Sequence, residues 1–129
     1  MRFPLSALSI AALGLWLIAP VGAQELAEGE RLFRGRCASC HSLEPGQSRI
    51  APNLTGVFDR AAGQVAGARY SEALRNAGLV WNAEQLDTFL ENPRQVVPGT
   101  TMTYSLRDAA QRQAIIAYLR GLPRPKAGQ

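Results

Sequence analysis

The stretch Cys37-Ala38-Ser39-Cys40-His41 contains both cysteines of the chain and its single histidine. The pattern C-x-x-C-H is the attachment signature of a c-type haem. Two thiols three residues apart on one helical turn can each add to a haem vinyl group, and the imidazole of the next residue then lies under the iron. The motif therefore predicts one covalent haem c, attached through Cys37 and Cys40, with His41 as an iron ligand.

Other kinds of site use the same residue types. Two cysteines in an exported protein often form a disulfide, and a CxxC pair also occurs in thioredoxin-like redox sites. A redox dithiol does not need the histidine, and it normally follows a strand in a βαβ pattern that this sequence lacks. A structural zinc site takes four ligands, whereas the soft ligands here are Cys37, Cys40 and His41. The spacing therefore favours haem over the alternatives.

Residues 1–23 resemble a secretory signal peptide. Arg2 supplies the positive charge, an apolar run covers residues 5–18, and the small residues Val21-Gly22-Ala23 offer a cleavage site. The run is short for a full membrane span, and an uncleaved anchor is the alternative. We expect cleavage after Ala23, a single domain over residues 24–129, and export to the periplasm, since haem attachment of this kind is an export-side process in bacteria.

The charge balance gives little support to nucleic-acid binding. The chain has 14 basic and 10 acidic residues, a formal net charge of +4, with no block of lysine or arginine and no nucleic-acid motif. Its length is that of one domain, and a bound cofactor would add apolar surface that so small a chain lacks.

Hydrophobic periodicity and capping residues predict helices, and no alternating strand pattern extends beyond a few residues. The first helix is expected over residues 26–36, with Gly29 on its buried side, which suggests that another backbone packs closely there. The other predicted helices are a turn capped by Ser71 that extends to residue 76, a helix over residues 82–91 stopped by Asn92-Pro93, and a last helix over residues 108–120. Residues 42–67 and 96–102 are expected to be loops, the first long enough to wrap a cofactor. The tail from residue 123 is expected to fray.

Met102 is predicted to be the second protein ligand of the iron. It is the one methionine in residues 24–129, which contain no second histidine and no third cysteine. Thioether sulfur is a soft ligand for haem iron, and Met/His ligation is associated with electron-transfer cytochromes. Most methionines are core filler, but core filler usually has helical or strand periodicity, whereas Met102 follows a Pro-Gly turn in an irregular loop.

The order of the motifs resembles that of mitochondrial cytochrome c and its bacterial relatives, the class I c-type cytochromes. The shared motifs are C-A-S-C-H, A-P-N-L, Y-S-E-A-L, V-W, N-P, P-G-T-T-M and A-Y-L, in family order over residues 29–120. The resemblance implies an all-α, single-domain cytochrome c fold in which the N- and C-terminal helices cross around one haem. Gly29 and Phe33 would then meet Ile115 and Tyr118.

The resemblance also implies roles for residues around the haem. The carbonyl of Pro52 would accept the N–H of His41, which fixes the tautomer of the ligand and raises its basicity. The residues that match contacts to a haem propionate are Arg60, Tyr70, Trp81 and Thr100. On sequence context alone, Tyr70 and Trp81 could equally be packing aromatics.

Three positions depart from the family pattern. Ala51 stands where glycine is usual, so the loop before Pro52 is expected to differ slightly. Phe89 replaces a tyrosine that often contacts the ligand sulfur, which should change the Fe–S bond. Tyr104 replaces a common phenylalanine beside the exposed haem edge. None of the three removes an iron ligand.

The function implied is that of a soluble one-electron carrier and not of an enzyme, because an iron with two protein ligands has no open position for substrate. Electron donors and acceptors, membrane-bound or periplasmic, would dock over the exposed haem edge, where Arg36, Arg94 and Arg107 match or lie near a basic ring. Each arginine could also be an ordinary surface charge. Gln95 and Thr101 are neutral where the family often has lysine, which predicts weaker steering or a less acidic partner.

Two other functions stay open at this point. A labile Met102 would leave the iron free to reduce peroxide or to bind a small ligand such as NO. The protein could instead be the haem subunit of a periplasmic dehydrogenase or oxidase complex. The sequence contains no distal histidine and no alternative base that would support catalysis. We expect a monomer that binds no nucleic acid and associates with a membrane surface only transiently.

Overall fold

The computed structural model describes residues 19–126. Over that range the chain forms five helices, and its one β-type pairing is an isolated bridge between Ala61 and Val80. The helices are α1 (Val21–Arg36), α2 (Glu72–Arg75), α3 (Ala83–Glu91), α4 (Pro93–Val96) and α5 (Ala109–Gly121). The all-α prediction is confirmed.

The predicted signal peptide falls largely on residues 1–18, which lie outside the described residues. Among the residues that are described, no helix has both the length and the apolar character needed to cross a bilayer. The cleavage and export predictions therefore stay predictions.

Helix α1 begins at Val21, earlier than the sequence predicts. The added turn is exposed, and the buried residues of the helix are Gly29, Leu32 and Phe33. Residues 23–27 consist of alanine, glutamine, glutamate and leucine, which extend a helix without needing burial. Hydrophobic periodicity cannot detect such a turn. The predicted cleavage point after Ala23 lies upstream of every buried residue of α1.

Helices α1 and α5 pack together through a close backbone contact at Gly29, as expected. A Cβ on Gly29 would collide with the carbonyl oxygen of Ala114 and would lie 2.7 Å from the Cβ of Tyr118. The rings of Phe33 and Tyr118 pack at a centroid distance of 5.9 Å, and Ile115 is fully buried between the elements of the core. This crossing fixes the C-terminal end of α1, where the CxxCH motif begins.

Three helices begin at the capping residues that the sequence predicts. A side-chain oxygen accepts a hydrogen bond from the backbone N–H three residues later and satisfies a group that the helix leaves unpaired. The bonds are Leu74 N to Ser71 Oγ at 3.1 Å, Gln85 N to Asn82 Oδ1 at 2.8 Å and Gln111 N to Asp108 Oδ1 at 3.0 Å.

The region after Glu91 differs from the prediction. Helix α3 ends at Glu91, but Pro93 is the first residue of α4, and the side chain of Asn92 accepts a hydrogen bond from Gln95 N at 3.3 Å. Proline is well suited to the first position of a helix because its missing N–H would be unpaired there anyway. The Asn-Pro pair thus joins two helices, and the predicted loop begins after Val96.

Residues 123–126, which the sequence predicts to fray, contact other parts of the chain. Arg124 forms an ion pair with Asp59 at 2.7 Å, and the ring of Pro125 lies against Gly56. The guanidinium of Arg120 lies 5.0 Å from the centre of the Phe58 ring. These partners are distant in sequence, so local composition could not reveal them.

Candidate functional site

The CxxCH motif continues directly from α1 as a series of hydrogen-bonded turns. Cys37 N donates to Phe33 O at 2.8 Å, and Cys37 O accepts hydrogen bonds from Cys40 N at 3.1 Å and His41 N at 2.8 Å. The two thiols are therefore one helical turn apart, and neither forms a disulfide. Cys37 is half-buried and Cys40 is exposed.

The environment of Cys37 does not suit a redox-active dithiol. Burial raises the pKa of Cys37 to about 11, against the opposing charge of Arg36. Reactive CxxC cysteines have a lowered pKa, because the thiolate is the nucleophile. The half-buried Cys37 thiol thus resembles a covalent attachment point more than a catalytic thiol.

His41 is oriented by the backbone of the following loop. Its Nδ1 lies 2.7 Å from the carbonyl oxygen of Pro52. Because a carbonyl can only accept, Nδ1 carries the proton, and the lone pair of the neutral ring is on Nε2. Burial lowers the pKa of His41, the Pro52 bond opposes this shift, and the charge of Arg60 lowers the pKa further. The net effect favours the neutral imidazole, which is the form that binds a metal.

The loop that carries Pro52 is held together by the buried side chain of Asn53, which is 4% exposed. Asn53 Nδ2 donates to the carbonyls of Glu44 and Gln47, and Oδ1 accepts from Thr55 N at 2.8 Å. Asn53 N donates to Ser48 Oγ at 3.2 Å. Asn53 was not predicted as a site residue. Its only sequence signal is its place after proline in A-P-N-L.

Ala51 causes no backbone strain where the family usually has glycine. Its N–H donates to Cys40 O at 3.1 Å, which ties the loop to the CxxCH turn. Over residues 19–126 the one non-glycine residue with a positive φ is Asp59, at 62°. Because Ala51 has an ordinary backbone conformation, its Cβ is accommodated.

Arg60 is a half-buried cation held by carbonyl groups. Its guanidinium donates to Asn53 O at 2.8 Å and to Thr55 O at 3.2 Å. In the described part of the chain, no carboxylate pairs with it. Burial lowers the pKa of Arg60, which means that the protein environment disfavours its positive charge. Arg60 would therefore be stabilised by an anionic group.

Among the described residues, the indole N–H of Trp81 and the hydroxyl hydrogen of Tyr70 have no hydrogen-bond acceptor. Trp81 is buried, packs edge-on against Phe89 at a centroid distance of 5.0 Å, and donates its backbone N–H to Arg60 O at 3.0 Å. The indole N–H can only donate. The hydroxyl of Tyr70 accepts a hydrogen bond from Val65 N at 3.2 Å, so its own hydrogen is available for another acceptor.

Met102 follows a tight turn in which Thr100 N donates to Val97 O at 3.0 Å. Pro98 and Gly99, with φ of 93° at Gly99, occupy the central positions, as in a type II turn. Met102 N then donates to Thr100 Oγ1 at 3.3 Å, so the buried hydroxyl of Thr100 still has its hydrogen to donate. Met102 is half-buried and packs against the hydrophobic core.

Hydrogen bonds link predicted site residues in five pairs. Within the CxxCH turn, Cys37 is bonded to Cys40 and to His41, and the other pairs are His41 with Pro52, Arg60 with Trp81, and Thr100 with Met102.

The arginines predicted at the docking surface are all exposed. Arg36 Nη1 donates to the hydroxyl of Tyr104 at 3.2 Å, and Tyr104 is 38% exposed. A phenylalanine at this position could not accept that bond. Arg94 lies in α4 and Arg107 in the segment before α5.

Comparison with known proteins gives a consistent result. The family model described as Cytochrome c matches residues 26–123. Cytochrome c of Euglena viridis is 43% identical over 95 residues, which cover 73% of this chain and 93% of the relative. Cytochrome c2 of Blastochloris viridis is 35% identical over 105 residues, covering 80% of this chain and 82% of the relative.

A solved structure supports the same assignment. Cytochrome cH from Methylobacterium extorquens superposes with a TM-score of 0.69 at 36% sequence identity, over 74% of this chain and 96% of that chain.

Proposed function

The chain belongs to the cytochrome c family, and we propose that it is a one-electron shuttle of the periplasm whose iron is ligated by His41 and Met102. Its cofactor is one haem c, attached through Cys37 and Cys40. The haem iron supplies the one-electron couple between Fe(III) and Fe(II). The residues of the chain bind the cofactor, orient the ligands and set the charge around it.

The site residues fit a covalent haem with a histidine ligand. Two free thiols lie one turn apart, and the next residue, His41, has its lone pair on Nε2. The bond from Nδ1 to Pro52 at 2.7 Å orients the ring and makes Nε2 a stronger donor. This contact is the single observation that carries the proposal, because it gives the imidazole the tautomer that metal ligation requires.

Met102 is proposed as the second ligand. Its half-buried side chain follows a rigid Pro-Gly turn, and its backbone is fixed to Thr100. An iron that binds both His41 and Met102 has no free position for peroxide or another substrate, so the protein transfers electrons and does not catalyse a reaction.

Arg60, Tyr70, Trp81 and Thr100 are proposed to bind haem propionates. Arg60 is the clearest case, since it is a half-buried cation without a described carboxylate partner. A propionate would compensate this charge. Tyr70 and Thr100 each keep a hydroxyl hydrogen to donate after their described contacts.

We further propose that redox partners dock near the exposed Arg36 and Tyr104, with Arg94 and Arg107 adding positive charge. The composition of residues 1–23, where Arg2 precedes an apolar run and a small-residue cleavage site, supports the proposed export. The protein acts as a monomer.

Binding of carbon monoxide to the reduced protein tests the carrier function. The wild-type holoprotein at neutral pH should show no spectral change with carbon monoxide, whereas Met102→Ala should bind it readily. Thr101→Ala, a change at the exposed neighbouring residue, is the matched control and should behave as wild type. If the wild type binds carbon monoxide as readily as Met102→Ala does, the iron has an open position and a ligand-binding or catalytic role replaces the carrier proposal.

The fraction in which the protein is isolated tests the shuttle role. We expect release of a free monomer with the periplasmic fraction of the native host. Stoichiometric co-purification with a large dehydrogenase or oxidase would instead identify a fixed haem subunit.

A further inference from the structure

Arg112 is a charged residue inside the protein. It lies in α5, is only 5% exposed, and was not singled out from the sequence. Its Nε donates to Asp87 Oδ1 in α3 at 2.8 Å. Its Nη1 donates to two consecutive backbone carbonyls, Leu106 O at 3.0 Å and Arg107 O at 2.8 Å. One planar guanidinium thus connects α5, α3 and the chain segment between α4 and α5.

That segment carries Met102. Residues 102–108 have neither helical nor strand structure, and residues 103–105 are exposed. The segment is anchored at its start by Thr100, whose hydroxyl accepts from Met102 N. It is anchored again at Leu106, which is 4% exposed and donates its N–H to Leu90 O at 2.8 Å. Arg112 strengthens this second anchor, because its guanidinium donates hydrogen bonds to the carbonyl oxygens of Leu106 and Arg107.

The contacts of Arg112 restrict the segment in a specific way. An arginine offers its donors in a rigid planar fork, so several acceptors bound to it are held in a fixed relation to one another. Asp87 holds the guanidinium group of Arg112 in position. It belongs to α3 and also accepts a hydrogen bond from Gln113 Nε2 at 3.1 Å. The carbonyls at residues 106 and 107 cannot move away from α5 without breaking charge-assisted hydrogen bonds to the buried guanidinium of Arg112.

We propose that Arg112 is a positioning residue for the iron ligand Met102, holding the end of the segment at residues 106–107 so that the ligand sulfur remains on the iron. This inference rests on the proposed ligation by Met102. Without the guanidinium, the anchor at Leu106 is weakened and the segment opens more often. Arg112 would then control how frequently the iron becomes accessible, without touching the haem itself.

Imidazole binding to the ferric holoprotein measures that opening. Imidazole binds the iron only when the sulfur of Met102 has dissociated from it. The apparent affinity for imidazole therefore rises in proportion to the fraction of molecules in which Met102 is dissociated. Arg112→Gln should raise the affinity at least about tenfold. Arg112→Lys keeps the charge near Asp87 but lacks the fork, and it should raise the affinity at least about threefold, which provides a second reading if the glutamine variant does not accumulate.

A matched control separates positioning from general stability. Ile115→Val removes a methyl group from a fully buried residue in the same helix and removes neither of the hydrogen bonds from Arg112 to Leu106 O and Arg107 O. It should lower the unfolding midpoint while changing the imidazole affinity less than about twofold. If Ile115→Val raises the affinity as much as the Arg112 variants do, or if those variants stay within about twofold of wild type, Arg112 has only a structural role.

Met102→Ala distinguishes failure of this inference from failure of the proposed ligation. It should raise the imidazole affinity above that of every Arg112 variant. No increase would overturn the ligation by Met102 and this inference with it. An increase with Met102→Ala but none with the Arg112 variants would overturn this inference alone.

Discussion

Gly29 in α1 lies directly against the carbonyl oxygen of Ala114 in α5, so closely that no side chain fits between the two backbones. The contact holds the two helices at their crossing point. Because α1 continues into the CxxCH turn through Cys37 N and Phe33 O, the same contact determines where the haem attachment site begins.

Gly29→Ala should destabilise the protein by about 1–3 kcal/mol, because the new methyl group overlaps backbone atoms that cannot move aside. The intrinsic gain from replacing glycine by alanine in a helix, up to about 1 kcal/mol, is smaller than this cost. Urea unfolding of the holoprotein measures the change.

Gly35→Ala is the matched control for this prediction. Gly35 lies in the same helix, and a Cβ there would have open space around it. The substitution should therefore stabilise the protein, by up to about 1 kcal/mol. If the two substitutions change the free energy of unfolding equally, helix propensity dominates, and the backbones at Gly29 and Ala114 leave room for a methyl group.

Gly99→Ala should destabilise the protein by about 1 kcal/mol or more and weaken retention of Met102. Gly99 has a φ of 93°, which an alanine adopts only with strain, and a Cβ would lie 3.1 Å from the Cβ of Ala73. Unfolding by urea and imidazole affinity of the ferric protein check the two effects.

Gly46→Ala serves as the comparison for Gly99→Ala. Gly46 also has a positive φ, 73°, but has open space around it and lies far along the chain from Met102. We expect both substitutions to lower the free energy of unfolding by similar amounts, and only Gly99→Ala to change the imidazole affinity. A parallel change at both sites would mean that the turn before Met102 has no special role.

Arg36→Gln should slow oxidation of the reduced protein by ferricyanide at low ionic strength, because an exposed positive charge steers an anionic reagent toward the site where it reacts. The difference from wild type should shrink as salt is added, since exposed charges are screened over roughly 10 Å at moderate ionic strength. Stopped-flow rates over a series of salt concentrations provide the measurement.

Arg34→Gln removes the same charge from the outer face of α1, where Arg34 pairs with Glu30 at 2.5 Å. It should leave the ferricyanide rate closer to the wild-type value. If the two variants slow the reaction equally at every salt concentration, net charge rather than the location of Arg36 explains the effect.

We expect the ionisation of Tyr118 to lower the free energy of unfolding at alkaline pH. Burial raises the pKa of Tyr118 in the folded protein above that of an exposed tyrosine. Because the folded-state pKa is the higher one, this contribution is fully present below the unfolded pKa of about 10 and is lost as the pH rises through the folded value. Tyr118→Phe keeps the ring contact with Phe33, and its free energy of unfolding should decline less steeply between about pH 8 and 11. Identical slopes would show that the hydroxyl is solvated.

Local sequence patterns predicted those parts of the fold whose causes are local. The caps at Ser71, Asn82 and Asp108 each depend on a residue three positions away, and each was found. Gly29 stood out because glycine on a buried helical face is costly unless another backbone comes close.

The contacts that were missed depend on partners distant in sequence. Asn53 binds carbonyls six and nine residues away, and Arg112 binds Asp87 across 25 positions. The same reason explains the tail, where Arg124 pairs with Asp59. No periodicity or composition marks these residues, because burial of a polar side chain becomes visible only when the chain is folded.

The contact between His41 and Pro52 was expected from the resemblance to cytochrome c and not from spacing alone. At Tyr104, where the chain departs from that family, the structure adds a contact to Arg36 that phenylalanine could not make. The resemblance therefore predicted shared contacts, while contacts particular to this chain had to come from its structure.

The far-red absorption of the ferric holoprotein at neutral pH directly tests whether Met102 ligates the iron, since methionine sulfur bound to ferric haem iron produces a weak charge-transfer band there. After co-expression with a haem-attachment system, the wild type should show covalent c-type haem together with this band. Met102→Ala should lose the band, and Thr101→Ala should keep it. Covalent haem without the band in the wild type, or a band that persists in Met102→Ala, would contradict ligation by Met102 and the carrier function that depends on it.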